Sequence, residues 1–502
     1  MSITGPGSIT ATNLLAQNNM MNQLNTLAQQ LGTGEVATDY SGLGSQAGLA
    51  LQLSAQLDAI NGYSSAATTV GTTLSVAQLA LTQLGDISST VQQLISNQGE
   101  FTLDNNGQTT TQNAAASYFD QILSLLNTQV GSNYLFSGSA VNDPSVASAS
   151  DILDGTSTQA GLTQVMAARL EADEGSDGLG RLDIENVSGT STVSLSEDAA
   201  NSPFGFQLAG VTSNLTGATV TGPSGSSPPS ISIDLGSNPN AGDSITFDLT
   251  LPDGSSQTIT LQATMDSPPG TGQFTIGADA DATAANLQTA LSSAVSSLVQ
   301  TAMPTASSIA AANNFFAIPP QVISGSPYTA TSLTDGTSAN TVLWYTGGNS
   351  STPLQTATAQ VGTSLSVAYG MQANEPAISS LLANVALLAA TTYSSSDPNA
   401  QASYETLCQS VAQNLDGQSG TQSITDIETA LTNAQTAVTN ATAVNTQTQN
   451  TLQDMLQGIE GVNQNQIGED ILTLQNNLSA SMSATARLAQ MSLVNYLAPV
   501  SG

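Results

Sequence analysis

Two rows of apolar residues, each spaced by sevens and offset from the other by three, run through residues 53–95. Leu53, Ile60, Ala67, Leu74, Leu81 and Ile95 form one row; Tyr63, Val70, Ala77, Leu84 and Val91 form the other. Steps of three and four put one stripe along an α-helix, whereas a strand would bring up alternate residues. Ser88 is the one polar member of the first row. A second seam follows near the other end: Ile424, Ile427, Leu431, Ala434, Val438, Ala441, Leu452, Met455, Ile459 and Val462, with Asn445 and Thr448 as polar members. Seams of this length need partners, and the simplest partner for each is the other. The expected rod seam is therefore Leu53, Ile60, Leu74, Leu81, Leu84 and Val91 against Leu431, Val438, Leu452 and Ile459.

Beyond these seams lie two more helical patterns. Leu14, Met21, Leu24 and Leu31 form a stripe closed by Gly32 and Gly34. From Ile467 onward the apolar residues spread over two faces, with Ile471, Leu474, Leu478 and Leu488 on one and Met482, Ala486, Ala489 and Leu493 on the other. One buried stripe satisfies a surface helix of a compact monomer. Two faces need more partners than this chain obviously supplies. A shorter helix is expected over 111–129, with Phe119, Ile122 and Leu126 inward.

The middle has a different texture. Ile231, Ile233 and Leu235, then Ile245, Phe247, Leu249 and Leu251, then Ile259 and Leu261 alternate with polar residues, and "PDG" at 252–254 reads as the turn between two strands. Residues 281–299 predict a helix with Thr283 near its N-cap and Ala285, Leu287, Leu291, Val295 and Leu298 apolar. The expected fold is α+β: long N- and C-terminal helices paired into a coiled-coil-like bundle, with an inserted β-rich middle domain. Its expected divisions are 1–35 with 463–502, 36–142 with 350–462, and the insertion 143–349.

Composition narrows function. Thirty-six acidic residues face three basic ones, Arg169, Arg181 and Arg487, for a net charge of −33. Nucleic-acid binding needs cations this chain lacks, and an anionic membrane surface would repel it. Without His there is no imidazole base, and without Lys no Schiff base. Only carboxylate chemistry survives, and no paired acids sit in a recognisable setting. No catalytic, cofactor-binding or metal-ligating residue is expected. The acidic run "EADEGSD" at 171–177 reads as a solvated surface, and Cys408 as a small core residue. The first residues carry neither a cationic nor a long apolar region, so no cleavable leader is expected. The most apolar window, 379–390, is too short to insert in a bilayer.

Several segments resemble the bacterial flagellin superfamily, which includes filament flagellins and the hook-filament junction protein. "QQLGTGEVATDYSGLGSQAGLAL" (29–51) is similar to the family's N-terminal signature, although no Arg or Lys stands in it. "LLNTQVGSNYLFSGS" (125–139) resembles the close of the third long helix. "TVLWYTGGN" (341–349) and "YGMQANEPAI" (369–378) resemble segments ahead of the C-terminal helices, and "LSASMSATARLAQMSLVNYL" (478–497) the terminal helix.

The resemblance implies a structural, non-enzymatic subunit, exported unfolded and polymerised outside the cell on the bacterial flagellum, for motility. Its implied partners are further copies of itself, hook-associated and cap proteins, the export apparatus and a chaperone. The alternatives are the junction protein of the same superfamily and, remotely, a surface adhesin. Polymerisation and helix packing are expected from Leu14, Met21, Leu24, Leu31, Ile471, Leu474, Leu478, Met482, Leu488, Leu493 and Leu497. Tyr134 and Phe136 are expected to pin the boundary between rod and insertion, as aromatics on one face of a short strand.

Overall fold

The computed structural model describes residues 6–97, 99–187, 189–224, 228–417 and 420–496, with side chains for all of these except 6–10, 224 and 491–496. The helices are α1 (Pro6–Thr33), α2 (Ala47–Ser96), α3 (Thr110–Leu126), α4 (Ala149–Asp154), α5 (Leu162–Glu174), α6 (Ala280–Thr301), α7 (Met303–Phe315), α8 (Pro376–Ala390), α9 (Ala400–Leu415), α10 (Ile424–Glu460) and α11 (Gln464–Tyr496). Strands β1 (Gln129–Val130) and β2 (Asn133–Tyr134) follow α3. The middle holds β3 (Leu182–Asn186), β4 (Thr192–Glu197), β5 (Gln207–Ser213), β6 (Ala218–Ser224), β7 (Ser230–Leu235), β8 (Ser244–Thr250), β9 (Ser256–Thr264) and β10 (Gln273–Thr275). Short pairs complete it: β11 (Gln321–Ile323) with β12 (Leu333–Asp335), and β13 (Thr358–Gln360) with β14 (Ser366–Ala368). The fold is α+β, with long helices at both ends of the chain and a β-rich middle.

Two compact units divide the chain: residues 1–71, 359–367 and 436–502 form one, and residues 72–358 with 368–435 the other. The first unit contains α1, α11, the start of α2 and the end of α10. Gly34, with φ +79°, ends α1, one residue after the last helical position. Glu35 then bridges Gly461 in antiparallel fashion, and the Val462 N–H donates to the Gly34 carbonyl over 3.0 Å. The two helix breaks are thus clasped to one another. Below them Leu53, Ile60 and Leu452 form a cluster flanked by Leu57, Tyr63, Leu456 and Ile459. Met455 is excluded from it and half exposed. A straight α-helix drifts about 20° per heptad against a strict seven-residue repeat, so after several heptads the contact has passed to Leu456.

In the second unit the later α2 positions Leu74, Leu81, Leu84 and Val91 are fully buried, as is Leu431. Thr109 and Gln112 cap α3 reciprocally. The Gln112 amide, itself buried, donates to the carbonyls of Leu388 and Thr391 at the end of α8. Phe119, Ile122 and Leu126 face inward as expected. The apolar window over 379–390 is a buried helix, α8, and no helix among the described residues is long and apolar enough to cross a membrane.

The middle strands make two four-stranded sheets, ordered β3-β4-β7-β6 and β10-β9-β8-β5. Their alternating apolar residues meet α6 in one core around Phe206, Phe247, Phe274, Leu287, Leu291 and Val295. The turn at 252–254 joins β8 to β9, with Gly254 at φ +84°. In α6, Thr283 lies near the N-cap as expected, and one detail of the apolar stripe departs. Asp279 is the N-cap, accepting from the Ala282 N–H, while the buried Thr283 hydroxyl donates to the Asn238 side chain over 2.7 Å and accepts from the Gly277 N–H. Ala284 faces the core in place of Ala285, because the buried stripe runs 284, 287, 291, 295 and 299.

The acidic run at 171–177 is not wholly solvated. Asp173 is buried, 2.8 Å from the equally buried Arg169, and accepts the Gly205 N–H. Arg169 donates onward to the Pro203 carbonyl and lies over the Phe204 ring. Arg181 pairs with Asp198 at 2.7 Å and donates to the carbonyls of Tyr328 and Ala330. Burial raises the Asp173 carboxyl, and Arg169 works against that rise. Replacing Arg169 by Met leaves a buried carboxylate uncompensated and should lower second-unit stability by about 3–5 kcal/mol at neutral pH. A raised acid loses stability as pH rises from its ordinary value of 3.8 through its folded value. The deficit of Arg169→Met should therefore shrink on acidification towards pH ~4, as urea titrations at both pH values would reveal.

Candidate assembly surface

α1 carries no charged residue, and from Ile471 to Tyr496 α11 carries only Arg487. These helices pair lengthwise through a half-buried row on each. On α1 the row is Asn13, Gln17, Met20, Leu24 and Leu27; on α11 it is Ile467, Ile471, Leu474, Leu478, Ser481 and Thr485. Polar groups hold the register, since the Gln17 amide donates to the Thr485 hydroxyl over 3.1 Å and to that of Ser481 over 3.4 Å. Not one described side chain of α1 or α11 is fully buried. Two helices alone cannot enclose a core.

The expected packing residues divide accordingly. Leu24, Ile471, Leu474 and Leu478 lie in the paired rows. Leu14 and Met21 sit on another face of α1, exposed by 58% and 48%, and Leu31 is 39% exposed. Met482 and Leu488 are also exposed, so Leu488 does not share the cover given to Ile471, Leu474 and Leu478. Leu493 lies within α11 where side chains are outside the described residues, and Leu497 lies outside the described residues altogether. Leu15, Leu49, Leu51 and Leu472, which the heptad reading passed over, are likewise exposed in the first unit. Covering each such half-exposed side chain would contribute about 1 kcal/mol.

The rod-seam residues are inward. Leu53, Ile60, Leu452 and Ile459 share one cluster, and Val438 is buried in the same unit. The polar seam member Asn445 is buried too. Its amide donates to the Val361 carbonyl over 2.8 Å, fastening the tip of the β13–β14 hairpin to α10. Val361 is itself buried, while Leu365 at the same tip is exposed.

In the second unit three segments that are distant in sequence meet. The Phe136 carbonyl accepts the Ala373 N–H over 2.8 Å, the Gly138 N–H donates to Met371, and the Gly348 N–H donates to Ser137. Gly138 has φ +61°, and a Cβ there would run into the Gly348 carbonyl. Phe136 is fully buried, whereas Tyr134 is half-buried in the β1–β2 hairpin, paired with Gln129. The aromatics do not share one strand face. β2 ends at Tyr134, and residues 135–138 are buried consecutively because both sides of this stretch are packed. Nearby, Glu375 is buried between Gln422, which donates to it over 2.9 Å, and the Gln372 N–H, and burial raises its carboxyl. Cys408 is buried and its thiol is pushed up to about 11.

The signature at 29–51 has its own local logic. Asp39 caps the short 3₁₀ helix Tyr40–Gln46 by accepting from Gly42, and a Cβ on Gly42 would strike the Ala37 side chain. The Ser41 hydroxyl and the Gly42 N–H hold the Asp39 carboxyl below its usual range. Among the described residues no group of three or more Cys, Asp or Glu side chains is placed to hold a metal ion.

Residues 7–141 match the bacterial flagellin N-terminal helical region. That match covers α1, the capped turn, α2, α3 and the β1–β2 hairpin. No curated protein matches the chain.

Asn445→Leu should keep α10 helical but release the hairpin tip, leaving the Val361 carbonyl without its donor at a cost of about 1–3 kcal/mol. Hydrogen exchange should accelerate at residues 359–367 while α10 amides stay protected. Unchanged protection at the tip would remove Asn445 as the fastener.

Proposed function

The N-terminal helical region of this chain belongs to the bacterial flagellin family, and from that premise we propose that the protein is the repeating subunit of a flagellar filament. The observation that carries the reading is the α1–α11 pair: two helices, nearly free of charge, with no fully buried side chain among the described residues and with Leu14, Leu15, Met21, Leu472 and Met482 open. Exposed apolar stripes of this kind mark a surface completed by other protein. The family polymerises, and a head-to-tail contact that does not close on itself yields a helical fibre.

In this reading residues 1–35 and 463–502 form the inner layer of the polymer. Residues 36–142 and 350–462 form the rod around it, and 143–349 face water. Tyr134 and Phe136 mark the junction of rod and insertion. The chain passes unfolded through the export apparatus, unhindered by any internal disulfide since it has a single cysteine, and the terminal helices order as copies add. Hook-associated and cap proteins meet the ends of the polymer, and a chaperone shields the apolar stripes beforehand. The protein acts outside the cell, on the flagellum. With 36 carboxylates per chain, assembly rests on apolar burial and amide hydrogen bonds, favoured by low pH or divalent cations. The junction protein of the same superfamily is the second reading, supported by the likeness of "YLFSG" at 134–138.

Deleting residues 464–502 should abolish sedimentable polymer while leaving the second unit folded by circular dichroism and denaturant titration. Gold-labelled antibody against the β-rich middle should decorate flagella along their whole length. Label confined to one ring beside the hook would select the junction reading, and fibres grown by the truncated chain would defeat both.

A further inference from the structure

The first unit holds an isolated cation. Arg169 and Arg181 are buried in ion pairs, so Arg487 is the one exposed basic side chain among the described residues. It stands on α11 amid Ala484, Ala486, Leu488 and Ala489, and no carboxylate of the described chain lies within ion-pair distance of it. α1 is uncharged and α11 carries no other charge between Ile471 and Tyr496, which makes that placement specific. An arginine on a face destined for burial is costly unless a carboxylate meets it.

A receptor lies at the other end of the same helix pair. Asn22, Gln23, Thr26 and Gln30 of α1 face Asp470, Thr473 and Asn477 of α11 across an open groove of about 580 Å³. Asp470 is its single carboxylate, and the amide oxygens around it can accept further hydrogen bonds. Five N–H donors in a planar fork suit that lining better than an ammonium would. Glu35, Glu460 and Glu469 cluster near the same end, close to the clasped helix breaks, and add negative potential. The α1–α11 pair is therefore acidic at one end and basic towards the other.

We propose that Arg487 of one copy seats in the Asp470 groove of a second copy, joining terminal helices head to tail. The occupant is identified by charge complementarity: a chain of net charge −33 offers its neighbours one accessible guanidinium. Seventeen residues separate Arg487 from Asp470, about 26 Å along a helix, which sets the axial step between copies joined in this way. An operator of that kind repeats without closing. The proposal rests on the filament reading and adds to it the residue pair that fixes register.

The test uses the full chain, with polymer measured by sedimentation over a range of protein and NaCl concentrations. Arg487→Gln and Asp470→Asn should each raise the critical concentration at least about tenfold and flatten its salt dependence. The exchanged pair, Arg487→Asp with Asp470→Arg, should recover most of the loss, while monomer helicity stays that of the parent. If either single variant polymerises at the parental critical concentration, or the exchange restores nothing beyond the separate effects, the latch is overturned and the filament reading stands. A parent chain that forms no polymer under any of these conditions overturns both.

Discussion

Burial that a single copy cannot finish governs the terminal helices. A pair of helices has one mutual interface, and every residue off that line faces solvent unless a third element arrives. Here that line mixes Leu24, Leu27, Ile471, Leu474 and Leu478 with amides and hydroxyls, Gln17 being bonded to Ser481 and Thr485. Further apolar residues, Leu14, Leu15, Met21 and Met482, are set off that line. Amides and hydroxyls thus join the apolar row in fixing the register within a copy, while the leucines and methionines off that row stay exposed. That arrangement suits a surface that must stay soluble alone and then order on association.

Charge follows the same division. The two arginines of the second unit are sequestered at points where loops must be tied down: Arg169 at residues 203–205, Arg181 at residues 328–330. Each lies among carbonyls and a carboxylate, so neither relieves repulsion at the surface. Burial also raises the carboxyls of Glu197, Asp198 and Glu375. Their ionisation opposes folding at neutral pH, and protonation on acidification relieves it. An acidic milieu would thus relieve these buried carboxyls and lower repulsion between subunits at once.

How much of this was legible in the sequence depends on which force sets each element. The seam from Leu53 to Ile95 was readable because one strictly periodic stripe is buried along its length. Strand alternation in Ile231, Phe247 and Leu261 was readable for the same reason, with period two. Reading missed Gln17, an amide in the paired row of α1, and although Asn445 was placed in the seam as a polar member, no local pattern could show its bond to Val361. It failed at Met455, where cumulative helical drift shifts the contact by one residue. The stretch from Tyr134 to Gly138 was misread as an alternating strand because its burial comes from two distant segments, 345–349 and 371–373, invisible to any local period.

Arg487 shows what periodicity cannot weigh. Within a helical pattern it counts as one polar position among many, and its context carries the meaning: α1 holds no charge, and α11 beyond Asp470 holds this one alone. Selective removal of charge from both helices lowers the desolvation cost of burying them, since each ion taken from water without a partner opposes association by several kcal/mol. A single retained cation then acts by geometry more than by affinity. Apolar stripes slide past one another with little change in energy, whereas one guanidinium and one carboxylate satisfy each other at a single offset. In the proposed polymer greasy faces supply the attraction between copies, and the lone ion pair selects which alignment of those faces persists.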